Sequence, residues 1–480
     1  PDFQLAKFNH DSDFQQVVED ASAVATTSPA VAGESELERA ARYQKGFLQF
    51  YDPATVNPYI PIAARGPWVV TDTGAVVYDA GGYGMLGFGH APRHLLQVLE
   101  KPFVQANIMT PSHHQSQFMH SMRREIGNTR GFNLDGSACP YEDFVVINSG
   151  SESVSFAMRV ADVDAKNKTA PDGPAAGKKT CILSLGTSFH GRTERPAHAS
   201  DSSRASYKKY LKSFENIQVP LFTVPVNDTA ALEALFSQLE AEGYHPEIML
   251  MEATQGEGNP GVRLNRDFYD AARSLTKKHH SLLLIDSIQA GFRATGQLSL
   301  MDYPGFSTAE APDFETFSKA LNGGQYPMSS VAFGPGISSI YKQGLYGNTM
   351  TGNPRALAIA SATLSHITPE VKTNILQQGE AMVKMFNDIG AKYSNLVEGV
   401  SGSGLLNALH LRPEVKAYGS TTSVEYIART NGLGVIHGGK NALRFTPHFN
   451  MTSQEVELVK FLVEGSLDDY AKAHDIKIAQ

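Results

Sequence analysis

The chain has 480 residues, of which 41% are hydrophobic and 19% charged, and its formal net charge is −8. This length suits two domains of a globular protein. The negative charge without a basic run argues against a nucleic-acid partner, and no apolar stretch approaches the roughly 18 residues of a membrane span, so we expect neither partner. The two cysteines, Cys139 and Cys181, offer no disulfide framework or metal site and favour a reducing, cytoplasmic setting.

The first hundred residues contain two kinds of pattern. Residues 1–35 are polar and rich in Ala, Ser and Thr, and we predict that they form an N-terminal arm. The stretch WVVTDTGAVVYDAGG (68–82) contains two short β patterns around Asp72 and Gly74. A turn signal between two such runs predicts a β-hairpin.

From about residue 100 to 345, short apolar runs alternate with helical patterns. The apolar runs lie within DFVVINSG, KTCILSLG, PEIMLMEA, HSLLLIDS and SSVAFG. Continuous apolar runs with helices between them indicate a buried parallel sheet. Beyond this region come long helical patterns, two short strands in SGLLNALHLR and NALRFTP, and a closing helix.

These patterns predict an α/β fold. We expect a large domain with a mostly parallel sheet flanked by helices, and a smaller α+β domain formed by both chain ends. The predicted segments are 1–100 for the arm and part of the small domain, 101–345 for the large domain, which would carry the ligand site, and 346–480 for the rest of the small domain.

In parallel α/β sheets ligands lie at the carboxyl ends of the strands, so the residues after each apolar run are the candidate site. Ser149, Gly150 and Ser151 follow FVVIN and open a helix. That pattern is typical of an anion site suited to phosphate, but an ordinary helix cap has the same pattern. Asp286 follows SLLLI, where a buried carboxylate needs a cation such as a protonated ring nitrogen, or else caps a helix or pairs with a local arginine such as Arg293.

Two further strand ends carry polar or aromatic residues. Glu252 opens the stretch EATQGEGNPG, which could bind a polar ligand or satisfy its own backbone as a turn. SFHGR places the flat ring of Phe189 beside His190 and Arg192. A phenylalanine is more often a core residue than a platform for a cofactor ring.

Lys319 lies among small residues and glycines in SKALNGGQYPMSS, where an ammonium is unexpected because lysine usually keeps its charge in water. A phosphate site, a carboxylate for a ring nitrogen, an aromatic face and a packed lysine are what pyridoxal phosphate requires. Because Asp286 lies at a suitable strand end, we favour a Schiff-base lysine over a surface lysine at position 319.

Seven stretches, in order between about residues 45 and 465, are similar to motifs of the class III, or ω-, aminotransferases, which are fold-type I pyridoxal-phosphate enzymes. They are NSGSESVSFAMR, FHGRT, EATQGEG, DSIQAGFRATG, SKALNGGQYPMSS, NTMTGNPRALAIA and ALRFTPHFNMT. The resemblance implies that Lys319 and Asp286 are catalytic, with Lys319 forming the Schiff base and Asp286 facing the ring nitrogen. It implies that no metal takes part.

The resemblance also assigns cofactor contacts. The implied cofactor-binding residues are Gly150, Ser151, Phe189, His190, Asp286, Ile288, Gln289, Lys319 and Thr349. Gly150 and Ser151 would hold the phosphate, and the ring would lie between Phe189 and Ile288. Thr349 would reach the phosphate of the neighbouring subunit, which implies a homodimer.

Substrate contacts are implied in the same way. Arg444 would receive a substrate carboxylate, and Glu257 would neutralise that arginine when no carboxylate is present. Arg192 would hold a distal carboxylate. Tyr83 and Met85 would shape the entrance, although such residues are equally typical of packing.

The sequence departs from the family pattern at three places. Ser287 stands where the family usually has glutamate, Ala253 replaces a proline, and Arg293 lies one position early in GFRATG. None of these removes a group needed for Schiff-base chemistry, but the first changes the charge beside Asp286.

The implied activity is ping-pong transamination of a primary amine or amino acid, with an ω-amine favoured, and with a keto acid acceptor, pyruvate or 2-oxoglutarate. The sequence around ILSLGTSFHGRT slightly favours the branch of the family that acts on 4-aminobutyrate and lysine. The alternative is a pyridoxal-phosphate-dependent aminomutase, racemase or decarboxylase on the same scaffold. A non-catalytic protein of this fold would be expected to have lost Lys319 or Asp286, and both are present.

Overall fold

A computed structural model of the chain describes residues 5–25, 34–131 and 133–478. The chain divides into two compact units, one of Pro1–Arg93 with Thr373–Gln480 and the other of His94–Lys372. Both chain ends therefore contribute to one unit, as the sequence predicts. Residues 1–4 and 26–33 of the predicted arm lie outside the described residues.

The regular elements are numbered in chain order. The α-helices are α1 (Ser12–Ala25), α2 (Glu36–Gln44), α3 (Arg93–Leu96), α4 (His113–Glu125), α5 (Gly150–Lys168), α6 (Glu194–Ala199), α7 (Arg204–Tyr210), α8 (Thr229–Ala241), α9 (Arg266–Lys278), α10 (Gly291–Thr295), α11 (Pro354–His366), α12 (Pro369–Lys392), α13 (Val424–Thr430) and α14 (Ser453–Ala473). The β-strands are β1 (Pro61–Arg65), β2 (Trp68–Thr71), β3 (Val76–Asp79), β4 (Asp143–Ile147), β5 (Lys179–Leu185), β6 (Leu221–Val224), β7 (Tyr244–Glu252), β8 (Leu282–Asp286), β9 (Phe314–Phe317), β10 (Ser329–Phe333), β11 (Val397–Ser403), β12 (Leu406–Leu411), β13 (Leu433–Gly434), β14 (Ile436–Gly438) and β15 (Ala442–Phe445).

The larger unit, within the described residues, contains a seven-stranded sheet in the order β4-β10-β9-β8-β7-β5-β6. Strands β6, β5, β7, β8 and β9 pair in parallel. The predicted runs of β5, β7 and β8 are among them, whereas β6 and β9 were not predicted. The expectation that SSVAFG belongs to the parallel set is wrong, because β10 runs antiparallel to both β9 and β4. The connection from β9 to β10, residues 318–328, is shorter than a parallel crossover needs.

The sheet is buried by helices, which explains its continuous apolar strands. Ile248, Leu250, Leu282 and Leu284 on β7 and β8 belong to one core cluster with α5, whose Val154, Ala157 and Ala161 are fully buried. A strand buried on both faces cannot alternate polar and apolar residues. This packing places the carboxyl ends of the parallel strands along one edge of the sheet.

Residues 346–372, which the predicted segments assign to the small domain, belong to the larger unit. Helix α11 packs against α4 and against the short 3₁₀ turn Lys319–Asn322. The two compact units divide after residues 93 and 372, whereas the predicted segments divide after residues 100 and 345.

The smaller unit contains two four-stranded sheets, β1-β2-β3-β13 and β11-β12-β15-β14, among the described residues. The predicted hairpin is confirmed, because β2 and β3 pair antiparallel and Gly74 in the turn has a φ of +80°. Helix α1, from the predicted arm, packs on β1 and β2, and Phe8 and Phe14 contact the buried ring of Trp68 edge-on. None of the helices in the described ranges combines the length and apolar character that a membrane span requires.

Candidate active site

A cavity of about 170 Å³ lies at the carboxyl ends of β5, β7, β8 and β9 in the larger unit. Most of the sequence-predicted site residues line it: Gly150, Ser151, Phe189, His190, Glu257, Asp286, Ile288, Gln289 and Lys319. It is also lined by Ser149 and Glu252, for which the sequence leaves a structural alternative open, and by three residues that were not assigned to the site: Gly191, Gly256 and Ser318. The edge of a parallel sheet thus gathers side chains that are far apart in sequence.

The amino end of α5 forms one wall of the cavity. Ser149 caps this 19-residue helix with its side chain, so the helix-cap interpretation is correct as far as it goes. A Cβ added at Gly150 would lie 2.9 Å from Cδ1 of Ile288, and one added at Gly191 would lie 2.2 Å from Oγ of Ser151. The backbone therefore approaches closely at a helix end that favours anions, which suits a phosphate group.

Asp286 ends β8 and is buried. Its Oδ2 lies 2.9 Å from Nδ1 of His190. Its Oδ1 accepts hydrogen bonds from Oγ1 of Thr316 at 3.1 Å and from the amide of Ile288 at 3.0 Å. The amide contact lies within the turn after β8, and the next helix, α10, is capped by Ala290 rather than by Asp286. The other two contacts fix the direction of a carboxylate that lines the cavity, where it can meet a cationic ring nitrogen.

His190 is buried and has a polar partner at each ring nitrogen. Because a carboxylate only accepts hydrogen bonds, Nδ1 carries the proton donated to Asp286. On the other side of the ring, Nε2 lies 3.2 Å from Oγ of Ser184, which in turn lies 2.6 Å from Oγ of Ser188. The imidazole is therefore held at both nitrogens, and it orients the carboxylate.

Phe189 lines the cavity, and Arg192 lies over its ring with the guanidinium carbon 5.0 Å from the ring centroid. This is the geometry of a cation–π contact. Arg192 is exposed, and its backbone amide donates to Oγ of Ser151 at 3.2 Å. The distal-carboxylate role of Arg192 stays a prediction.

Lys319 follows β9 and is half-buried rather than fully packed. Its φ of 51° lies in the left-handed region, as does the φ of 78° at Gln289 on the same cavity. Non-glycine residues in this region are strained and persist where the surrounding structure fixes them, often at functional sites. The strained backbone is therefore consistent with a lysine side chain that has to be held in a particular orientation at the cavity.

Ser287, which stands where the family usually has glutamate, donates a hydrogen bond of 2.5 Å to Oε1 of Glu315 on β9. Glu315 is buried, and it also accepts hydrogen bonds from Ser299, Tyr141 and the amide of Leu300. Burial raises the pKa of this carboxyl. A carboxyl group is therefore present next to the turn after Asp286, but a neighbouring strand supplies it.

Glu252 is the residue that the sequence interpretation left open. It ends β7, is the register partner of Asp286, and is 2% exposed. Burial raises its pKa to about 7; proximity to Asp286 adds to the rise and His190 opposes it. The available signal was its position directly after a buried strand, the same as that of Asp286. The roles of Ser184 and Thr316 had no such signal, because each depends on a side-chain contact.

The remaining predicted residues lie elsewhere. Thr349 is exposed in a turn of the larger unit and is not among the described residues that line the cavity. Tyr83 and Met85 line a separate cavity of about 380 Å³ in the smaller unit, where Tyr83 has a φ of 49°. Arg444, also in the smaller unit, is buried on β15.

The residues that line the cavity of about 170 Å³ in the larger unit fit pyridoxal phosphate. The cavity brings together a helix amino end for the phosphate, a phenylalanine ring, an oriented carboxylate and a lysine. Among residues 5–25, 34–131 and 133–478, no group of three or more His, Cys, Asp or Glu side chains is placed to hold a metal ion.

Comparisons with known proteins give the same result. The model of the family "Aminotransferase class-III" matches residues 50–462. The chain is 30% identical over 421 residues to the acetylornithine/succinyldiaminopimelate aminotransferase of Photorhabdus laumondii, covering 86% of this chain and 94% of that protein. It is 32% identical over 311 residues to the acetylornithine aminotransferase of Vibrio parahaemolyticus, covering 65% and 71% of the two chains.

A solved structure agrees in fold. The crystal structure of the ornithine aminotransferase from Toxoplasma gondii superposes with a TM-score of 0.75 at 20% identity, covering 92% of this chain and 97% of that one. The leaning of the sequence towards enzymes of 4-aminobutyrate and lysine stays a prediction. The chain belongs to the class III aminotransferases, and it is a pyridoxal-phosphate-dependent enzyme that transfers amino groups.

Proposed function

We propose that the enzyme moves an amino group from the end of an unbranched chain, distant from a carboxylate, to a keto acid such as pyruvate or 2-oxoglutarate. The observation that carries this proposal is that Lys319, Asp286 and Gly150 line one cavity. The named relatives act on acetylornithine and succinyldiaminopimelate, whose reacting amine is distal in this way. Aminomutase, racemase and decarboxylase activities are not favoured.

The residues of the cavity divide the chemistry between them. The cofactor, when bound, supplies a ring that withdraws electrons from the reacting carbon. Lys319 is the amine that would hold the cofactor covalently and, once released, take the proton from the donor carbon as general base. Asp286 would provide a negative charge for the ring nitrogen, and Gly150 and Ser151 would bind the phosphate at the start of α5.

Two residues of opposite charge are candidates for carboxylate recognition. We infer that Arg444 binds the carboxylate of the keto acid and that Glu257 neutralises an arginine when the ω-amine is bound. Glu257 lines the cavity of the larger unit, and Arg444 is a buried cation of the smaller one. Arg192 would hold a distal carboxylate, and Tyr83 and Met85 would shape the entrance for the donor.

We also infer a homodimer in which Thr349 reaches the neighbouring subunit's phosphate. The support is apolar surface on the larger unit: Val104, Met109 and Met350 are 71%, 82% and 52% exposed. An apolar cavity of about 440 Å³ is lined by residues that include Ile108 and Thr351, which are the chain neighbours of Met109 and Met350. Large exposed apolar residues of this kind mark association surfaces.

The free thiols of Cys139 and Cys181 favour a reducing, cytoplasmic setting.

The test is to add candidate amines, one at a time, to the cofactor-loaded enzyme without any keto acid. An aminotransferase stops after half a turnover, with a change in the absorbance of the bound cofactor, and continues only when a keto acid is added. A racemase, aminomutase or decarboxylase continues without an acceptor. Arg444→Ala should impair the keto-acid half-reaction more than the amine half-reaction, and equal losses would rule out the arginine's proposed role.

A further inference from the structure

Glu252 has no part in the chemistry proposed above, yet it lines the same cavity. It is the last residue of β7 and faces Asp286 across the pair of parallel strands. Burying a carboxyl group costs free energy unless its oxygens accept hydrogen bonds. Those partners indicate what it does.

Each oxygen of Glu252 accepts a hydrogen bond from a different loop. Oε2 accepts from the backbone amide of Phe189 at 3.1 Å, and Oε1 accepts from the backbone amide of Gly256 at 3.1 Å. The first loop follows β5 and carries the aromatic ring. The second loop follows β7 and carries Glu257. One side chain therefore fixes the backbone of both loops.

The two loops also contact each other directly. Nε2 of Gln255 donates to the carbonyl oxygen of Gly186 at 3.0 Å. A Cβ added at Gly258 would lie 1.9 Å from the carbonyl oxygen of Thr187, so only glycine permits this approach. Because the loops are in contact, a shift of either one is transmitted to the other.

We propose that Glu252 is a positioning residue that holds the ring of Phe189 and the loop of Glu257 in place for the cofactor, and that it does so fully only when ionised. The proposal rests on the proposed function of this cavity. It adds a group that acts through two backbone amides.

The requirement for ionisation follows from hydrogen-bond chemistry. An ionised carboxylate accepts at both oxygens, and hydrogen bonds to a charged acceptor are stronger than those to a neutral one. A protonated carboxyl presents one hydroxyl, which meets an amide as donor against donor. Protonation of Glu252 therefore weakens the hold on either Phe189 or Gly256.

The charges that face Glu252 place this change within an accessible pH range. Burial raises its pKa to about 7, the carboxylate of Asp286 on β8 acts in the same direction, and His190 from the loop after β5 acts against both. Lys319 after β9 and Glu257 line the same cavity. A cationic cofactor ring beside Asp286 would lower the pKa, so we expect the transition in the loaded enzyme at or below about pH 7.

The experiment measures the rate of cofactor release from the loaded enzyme across pH, by absorbance. Glu252→Gln keeps the shape of the side chain but offers one acceptor oxygen, so at alkaline pH we expect release to be about 10- to 100-fold faster than in the wild type. At acid pH the wild type should release cofactor almost as fast as the variant. The rates of Glu252→Gln itself should show little of this transition.

Glu247→Gln is the matched control. Glu247 lies on the same strand, is 2% exposed, and has its pKa raised to about 7 by burial, but it pairs with Arg195 and does not line the cavity. Its substitution should leave the pH dependence of release unchanged. Parallel curves for the wild type and Glu252→Gln would overturn the proposal, as would loss of the transition in Glu247→Gln.

The same preparations separate this inference from the proposed function. If the wild type transaminates but the curves are parallel, Glu252 is only a structural residue. If the wild type holds cofactor without transaminating any ω-amine, the proposed function fails while the role of Glu252 in holding the cofactor can still be read from the release rates.

Discussion

The ends of β7 and β8 carry two buried carboxyl groups that are neighbours in the sheet and differ in what holds them. Asp286 is oriented mainly by side chains, His190 and Thr316, whereas Glu252 is bound by two backbone amides. A carboxylate oriented by side chains keeps its charge directed at a ligand. A carboxylate bound by amides of two loops determines the position of those loops. A buried carboxyl group thus provides a directed charge at the end of β8 and fixes the position of two loops at the end of β7.

The largest effect is expected at Lys319, which lines the same cavity as both carboxyl groups. Lys319→Ala removes the covalent anchor and the general base together, so turnover should fall by about 10⁴-fold or more. The measurement is steady-state transamination with an accepted amine and keto acid. Lys342→Ala, at an exposed lysine of the same unit, is the control and should keep its activity. A Lys319→Ala enzyme with a tenth of wild-type turnover would refute the assignment.

The next effect distinguishes the two strand ends directly. Asp286→Asn removes the charge facing the ring nitrogen, and we expect the turnover number to fall by about 10²- to 10³-fold at saturating cofactor. Under the same conditions Glu252→Gln should lose only a few-fold, because excess cofactor compensates for faster release. Equal losses in the two variants would show that the strand ends do not have separate roles.

The pH dependence of stability is the third test. The pKa of Glu252 rises from 4.5 to about 7 in the folded protein, so between these values the folded state binds more protons than the unfolded state. Its contribution to the free energy of unfolding is therefore present below about pH 4.5 and lost as pH rises through about 7, a change of about 3 kcal/mol.

Glutamine does not titrate, so the stability of the wild-type apoprotein relative to Glu252→Gln should decrease across that range. Denaturant unfolding at a series of pH values measures it. Glu233→Gln, at an exposed position on α8, should run parallel to the wild type. A constant difference between wild type and Glu252→Gln would mean that the folded protein does not perturb this carboxyl.

The sequence predicted those parts of the site that depend on the order of elements. Asp286 comes directly after an apolar run and Gly150 follows one closely, and the ends of buried strands meet at one edge of a sheet. Lys319 was found from its setting among small residues and glycines. Contacts that depend on register or side-chain direction could not be predicted. The acid beside Ser287 comes from Glu315 on another strand, and β10 reverses because its connection is short.

The fourth prediction concerns the shape of the phosphate wall, and its expected effect is smaller. A Cβ at Gly191 would lie 2.2 Å from Oγ of Ser151, and the φ of Gly191 is +121°. Gly191→Ala should therefore displace Ser151 and weaken cofactor binding by about 1–3 kcal/mol, measured by titration of the apoprotein. Gly177→Ala, where φ is +74° and no atom lies within 4 Å, is a control for backbone strain away from the cavity. Equal cofactor affinity in both variants would contradict the close contact at Ser151.

The smallest effect is expected at Ser184, the residue behind the imidazole. Its hydroxyl lies 3.2 Å from Nε2 of His190, so Ser184→Ala leaves a buried ring nitrogen without that partner and should cost about 1–2 kcal/mol of stability. Because the other nitrogen orients Asp286, cofactor affinity should fall as well, whereas the pH dependence of cofactor release, which belongs to Glu252, should be unchanged. Ser184→Thr, which keeps the hydroxyl, should restore most of the affinity. If Ser184→Ala changed the pH dependence instead, the two strand ends would be coupled through His190 rather than acting separately.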